Sequence, residues 1–279
     1  MVEGARKDAM ITDKIINLFF PTKCSICGKL GTVICKDCEN ILDEFKINLL
    51  QKEVIELDDA NDEENKNKTK NKRLIINKFY IYKYDGIIRN LLIKYKFNDA
   101  SYLRELFAKL ILKNKKVYRF LKNYDIIIPV PISKKRKLER GYNQTELILK
   151  FIEKELKKLK EKSKRDLKIN KQMQKRYLNI QLNTESLIKI KNTKPQSKSN
   201  LKERINNVKG VYKLINEDKI KGKRIVIFDD IYTTGSTINE CINCIKNIII
   251  NNSSGKEKIE IGTIEIGVLI IAKDYMEVI

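Results

Sequence analysis

The segment 223–238, KRIVIFDDIYTTGSTI, constrains the fold more than any other part of the chain. Four apolar residues, Ile225 to Phe228, run into two adjacent carboxylates, Asp229 and Asp230. A Thr-Thr-Gly-Ser-Thr turn follows and opens a helix expected over 236–250. An apolar run of this length reads as a buried strand, here 224–228. Strand, polar turn and helix in succession form the unit of an open α/β sheet, where ligands bind beyond the carboxyl ends of the strands. Backbone N–H groups of a Thr/Gly turn at a helix amino terminus make an anion site, and Gly235 allows a positive φ and close approach. The hydroxyls of Thr233, Thr234, Ser236 and Thr237 add donors. Carboxylates beside an anion would repel it, so Asp229 and Asp230 are better matched to the 2′- and 3′-hydroxyls of a ribose, directly or through Mg²⁺. The pattern predicts a sugar phosphate site. It is not a Walker loop, because no Gly-Lys-Ser/Thr follows the turn. The competing interpretation is a plain strand-turn-helix with solvated acids and a hydroxyl cap.

Around this segment the chain alternates strand and helix. Strands are expected at 74–84, 125–130, 187–191 and 211–215, with one or two closing strands over 259–271. Helices are expected at 1–20, 41–50 (Ile41, Leu42, Phe45 and Leu49 on one face), 86–96, 102–112, 143–160, 201–208 and 236–250. The fold class that results is α/β, a mostly parallel sheet with helices on both faces. Two polar stretches interrupt it. Residues 51–73 read as a linker or insertion, and a second insertion is expected at about 155–185. The organisation is then 1–50, the linker 51–73, and the main domain 74–279.

The amino-terminal region holds Cys24-x-x-Cys27 and Cys35-x-x-Cys38, seven residues apart. Each C-x-x-C turn directs two thiolates at one point, and two turns complete a tetrahedron, so a closed structural Zn²⁺ site is expected. Gly28 and Gly31 supply the turns, and Lys23, Lys29 and Lys36 offset the negative charge. Redox motifs or an iron–sulfur site are the alternatives. Cys241 and Cys244 repeat the spacing on the helix after the turn, where they are expected to be small core residues.

The chain contains no histidine. That excludes a Ser-His-Asp triad and every His-ligated metal site. The formal charge of +22 has two interpretations, a polyanion-binding surface or the codon bias of an AT-rich genome. No apolar run reaches the length of a membrane span, and a cytoplasmic location is expected.

The Asp-Asp-x-x-Thr-Thr-Gly-Ser-Thr run resembles the signature by which type I phosphoribosyltransferases bind phosphoribosyl pyrophosphate (PRPP). Three further segments narrow this. They are YKYDGIIRNLLIKYKF (82–97), DIIIPVPISKKRKLERGYNQTELI (125–148) and PQSKSNLKERINNVKGVY (195–212). With the cysteine cluster, in this order, they resemble the ComF family of competence-associated phosphoribosyltransferase-like proteins. The resemblance implies a type I phosphoribosyltransferase fold with an amino-terminal zinc ribbon. It implies PRPP and Mg²⁺ at 229–237, with Asp229 and Asp230 as the catalytic acids. It also implies a pyrophosphate loop at Ser133, Lys134 and Lys135, with Arg140 nearby. Asn143 and Gln144 either cap the next helix or touch ligand, Arg204 and Asn207 are structural, and Lys94 and Lys96 approach the acceptor side. The partners implied are PRPP, single-stranded DNA and competence proteins. Phosphoribosyl transfer and a non-catalytic DNA-binding module are the two functions to be weighed.

Overall fold

The computed structural model describes residues 22–57, 72–97, 100–165, 179–192, 209–251 and 263–275. The chain divides into two units, Met1–Phe45 and Lys46–Ile279. The helices expected at 1–20 and 201–208 lie outside the described residues.

In the first unit a short knuckle precedes helix α1 (Lys36–Glu44). The Gly28 N–H donates to the Cys24 carbonyl at 2.9 Å and the Cys24 N–H to the Lys29 carbonyl at 2.8 Å. Lys23 and Leu30 form an antiparallel bridge. Leu42 on α1 is fully buried.

The helix expected at 41–50 is replaced by two elements. α1 starts five residues earlier than expected and stops at Glu44, and β1 (Lys46–Leu57) begins at once. Of the four apolar residues, Ile41 and Leu42 do lie on α1 and Phe45 caps its end, whereas Leu49 belongs to β1. Ile47, Leu49 and Ile55 pack on the core, whereas Leu50 and Val54 are exposed. β1 pairs antiparallel with β2 (Lys72–Lys83), in the register Gln51↔Lys78. Residues 51–57 are therefore strand and not linker, because β2 supplies backbone partners that composition does not reveal. Residues 58–71 lie outside the described set.

The main sheet has the order β1-β2-β8-β7-β3-β4, and every junction beyond β1–β2 is parallel. Its remaining members are β3 (Ile126–Pro129), β4 (Gln181–Leu182), β7 (Ile225–Tyr232) and β8 (Thr263–Lys273). A separate antiparallel pair consists of β5 (Leu187–Lys189) and β6 (Tyr212–Leu214). The helices are α2 (Gly86–Phe97), α3 (Leu103–Lys113), α4 (Lys115–Leu121), α5 (Lys134–Arg140), α6 (Gln144–Arg165) and α7 (Ser236–Asn251). α6 outruns the expected end at 160, β4 falls within the span read as an insertion, and residues 166–178 lie outside the described set.

Side chains alternate across a strand, so each sheet face carries its own core. Ile225 and Ile227 of β7, Ile126 and Ile128 of β3, and Ile266, Val268 and Ile270 of β8 pack with Ile238, Cys241, Ile242 and Ile245 of α7. On the other face Ile127 and Leu269 share an apolar cavity with Ile111, Leu121, Leu149, Ile152 and Leu156 of α3, α4 and α6. Each fully buried side chain of this kind contributes roughly 1.5–3 kcal/mol. Helices on both faces hold β3 and β7 side by side, with their carboxyl ends together.

Candidate functional site

The site is built at the end of β7. The strand was expected to stop at Phe228, yet it runs to Tyr232. Asp229, Ile231 and Tyr232 still pair with Ile270, Ala272 and Lys273 of β8. Both acids are therefore strand residues, and their side chains leave opposite faces. Asp230 meets Lys96 of α2, Nζ to Oδ1 at 2.9 Å, and is 5% exposed. Asp229 lies toward Lys189 of β5 and Cys241 of α7. Burial, together with the charge of Asp230, pushes the Asp229 carboxyl up to about 7, even though Lys96, the Asp230 N–H and Lys189 oppose the shift. The Asp230 N–H donates to Asp229 Oδ1 at 2.9 Å.

The turn follows. Asp229 and residues 231–238 line a polar recess with about 220 Å³ of open space. Gly235 has φ +76°, and a Cβ there would stand 2.7 Å from Tyr232 Cζ, so only glycine fits. Thr234 Oγ1 lies 2.6 Å from Ser236 Oγ and accepts the Ser236 N–H at 3.3 Å. The Thr237 side chain bonds to Tyr212 of β6. Among the described residues, the N–H groups of Thr233, Thr234 and Gly235 meet no protein acceptor. Half-buried amides at the start of a 16-residue helix are the donor set that an anion needs.

Residues 134–140, read as a loop, form α5. Ser133 is buried and caps it, its Oγ accepting the Arg136 N–H at 3.3 Å. Lys134 and Lys135 are exposed, and Lys135 lies 4.0 Å from Glu139. Arg140 is half-buried, its guanidinium 5.0 Å from the ring centroid of Phe97. Burial and Arg136 lower its pKa, while Asp230 opposes them. Asn143 is a cap. It accepts the Thr145 N–H at 3.2 Å and donates to the Val130 carbonyl at 3.1 Å, which ties α6 to the end of β3. Gln144 is buried, and its carbonyl accepts from Tyr95 Oη at 2.9 Å. Of the two lysines assigned to the acceptor side, Lys96 holds Asp230 and Lys94 lies over Tyr102. Arg204 and Asn207 lie outside the described residues.

Sequence reasoning passed over Arg136, Lys189 and Tyr232. Lys189 carried a faint signal, because strand alternation puts it on the same face as Leu187, which is buried.

In the first unit the Sγ atoms of Cys24, Cys27, Cys35 and Cys38 all lie within 4.8 Å of one another. A tetrahedral Zn²⁺ with bonds of about 2.3 Å needs sulfurs about 3.8 Å apart. Cys27 and Cys35 are 3.6 Å apart, so the donor set fits. Burial raises the Cys24 thiol, but N–H donation from Cys27, Cys35 and Ile26 outweighs it and brings the value to about 6. Burial and the neighbouring thiols push Cys38 well up. Three of the four thiols are buried, which suits a closed structural centre. Lys29 and Lys36 pair with Asp37 and Glu39 at 3.7 and 3.9 Å. Cys241 of α7 is fully buried in the core, and Cys244 packs against that core.

No protein-family model matches the chain. Curated relatives do. Competence protein F of Haemophilus influenzae is 27% identical over 163 residues, 57% of this chain and 61% of that protein. Competence protein ComFC of Bacillus subtilis is 24% identical over 225 residues, 80% of this chain and 70% of that protein. DNA utilization protein YhgH of Escherichia coli O157:H7 is 28% identical over 116 residues, 42% of this chain and 40% of that protein.

Proposed function

Because the chain belongs to the ComF family of competence proteins, we propose that it acts in DNA uptake by binding PRPP with Mg²⁺ and transferring the phosphoribosyl group to a nitrogen-containing acceptor. The observation that carries this is the pairing of free turn amides at Thr233–Gly235 with the two carboxylates Asp229 and Asp230 near the end of the same strand. The amides and hydroxyls take the 5′-phosphate. The ribose 2′- and 3′-hydroxyls donate to Asp229 and Asp230, and Lys96 keeps Asp230 in place. Carboxylate oxygens also suit a hard cation, and Mg²⁺ carried with the diphosphate would neutralise the leaving group. As the bond from C1 to the diphosphate oxygen breaks, positive charge grows on the ribose ring, and the acceptor nitrogen then bonds C1. The protein contributes position and electrostatics. The four-cysteine cluster would hold a structural Zn²⁺ that organises a segment too small for a core of its own.

Thermal shift tests the binding. PRPP with Mg²⁺ is expected to raise the melting midpoint of the wild type and to leave Asp229→Asn and Asp230→Asn unmoved. A wild-type midpoint that does not respond would count against the proposal.

A second function is favoured by one feature of the rim. Phe97 is 68% exposed, with the Arg140 guanidinium over its ring, and Lys94, one turn earlier on α2, lies over the ring of Tyr102. Aromatic faces interleaved with cations suit single-stranded DNA, as the competence and DNA-utilization relatives suggest. Affinity for an oligonucleotide should then fall steeply with salt and should drop in Phe97→Ala.

A further inference from the structure

Among the described residues β1 is the outermost strand of the main sheet, 12 residues long and paired on the β2 side alone. The outward N–H and C=O groups of such an edge are a template for pairing with another chain. The opposite edge, β4, has only 2 residues.

Side chains alternate along β1. One face is committed within the chain. Ile47, Leu49 and Ile55 pack on the core, Glu53 Oε2 lies 2.7 Å from Lys78 Nζ, and Gln51 Oε1 accepts from Lys273 Nζ at 3.1 Å. The other face carries Leu50, Lys52, Val54 and Glu56, all exposed, with Leu50 at 56% and Val54 at 51%. Glu56 stands opposite Arg73 of β2, 3.7 Å from its guanidinium at the surface.

The order Lys52, Val54, Glu56 is complementary to its own reverse. A second copy of β1 laid antiparallel along the edge, with a two-fold axis at Val54, sets Val54 against Val54 and each Lys52 against Glu56 of the copy. Glu56 then lies between Arg73 of its own chain and Lys52 of the copy. On the committed face Glu53 keeps Lys78 and comes opposite Ile55 of the copy. Charge selects this register. Sliding the copy so that the axis falls at Glu53 sets Glu53 against Glu53, and an axis at Lys52 sets Lys52 against Lys52. Like charges directly opposite destabilise a strand pair. A slip of one residue would turn the exposed face of one copy against the committed face of the other. A lysine on an edge strand ordinarily repels further pairing. Here each lysine meets a glutamate at the symmetric position.

We propose that the chain forms a two-fold dimer through β1, joining two main sheets edge to edge in the register that sets Lys52 against Glu56. The dimer does not depend on the PRPP proposal. Its axis reverses strand direction, so the two turns that follow β7 come to opposite rims of the joined sheet.

Sedimentation equilibrium of the full chain tests this. A small interface of this kind should carry the wild type from mostly monomer at about 5 µM to mostly dimer at about 200 µM. Lys52→Glu and Glu56→Lys each place two like pairs across the axis, and each should weaken dimerisation about tenfold or more. The double variant Lys52→Glu/Glu56→Lys restores both pairs in reverse and should dimerise within about threefold of the wild type. An equimolar mixture of the two single variants should form a heterodimer under conditions where each alone is monomeric. That last arm excludes misfolding as the cause of the losses, because neither variant could pair without its β1 in place. A wild type that stays monomeric at the higher concentration overturns the proposal. So does a dimer that both single variants leave unchanged, or one that neither the double variant nor the mixture restores.

Discussion

Replacing Asp229 with Asn should make the protein more stable while depriving it of its ligand. In the folded chain the carboxyl is raised to about 7, from an ordinary 3.8, by burial and by the charge of Asp230. A raised acid binds its proton more firmly folded than unfolded. Its stabilising effect is therefore present at low pH and lost as pH rises through the folded value. One pH unit within that window is worth about 1.4 kcal/mol. Between about pH 5 and pH 8 the wild type should lose roughly 2–3 kcal/mol from this group alone. Asn resembles the protonated acid and does not titrate, so Asp229→Asn should be spared that loss. Urea unfolding followed by circular dichroism at the two pH values measures the difference. Equal losses for wild type and variant would refute the claim that Asp229 is held under strain in the folded site. The stabilised variant should fail to respond to ribose 5-phosphate, which separates the stability effect from the binding one.

Three further outcomes are expected. Gly235→Ala forces a side chain into a left-handed φ and onto the Tyr232 ring, and should cost about 1–3 kcal/mol by thermal or urea melting and weaken ribose 5-phosphate. Lys96→Met leaves Asp230 buried without its cation, and should cost about 3–5 kcal/mol by urea unfolding, much of it regained on adding Asp230→Asn. Elemental analysis should find one zinc per chain, absent from Cys38→Ser, and a chelator should make residues 22–45 more susceptible to limited proteolysis.

What the sequence disclosed depended on how local each cause was. The run from Ile225 to Thr237 was legible because strand, acids, turn and helix are contiguous and each follows from its own residue types. The cysteine knuckles were legible for the same reason. The length of β7 was not, since its extension through Tyr232 comes from hydrogen bonding to β8, about forty residues onward. The start of β1 was misread because Leu49 stands at a helical spacing from Ile41, Leu42 and Phe45 of the α1 region, while pairing with β2 takes the chain from Lys46 onward. Lys189 was invisible as a site residue because its neighbours Arg136 and Asp229 are distant in sequence. Only the fold brings α5, β5 and β7 together.

The two neighbouring acids emerge on opposite sides of one strand, so a molecule that engages both must straddle the sheet rim at that peptide. This makes the site sensitive to parity as well as to identity. Deleting or inserting a single residue between Ile225 and Asp229 would exchange their surroundings, sending the carboxylate beside Lys96 toward the α7 side and its neighbour the other way. Homologous chains should therefore tolerate apolar exchanges in this stretch far more readily than any change in its length.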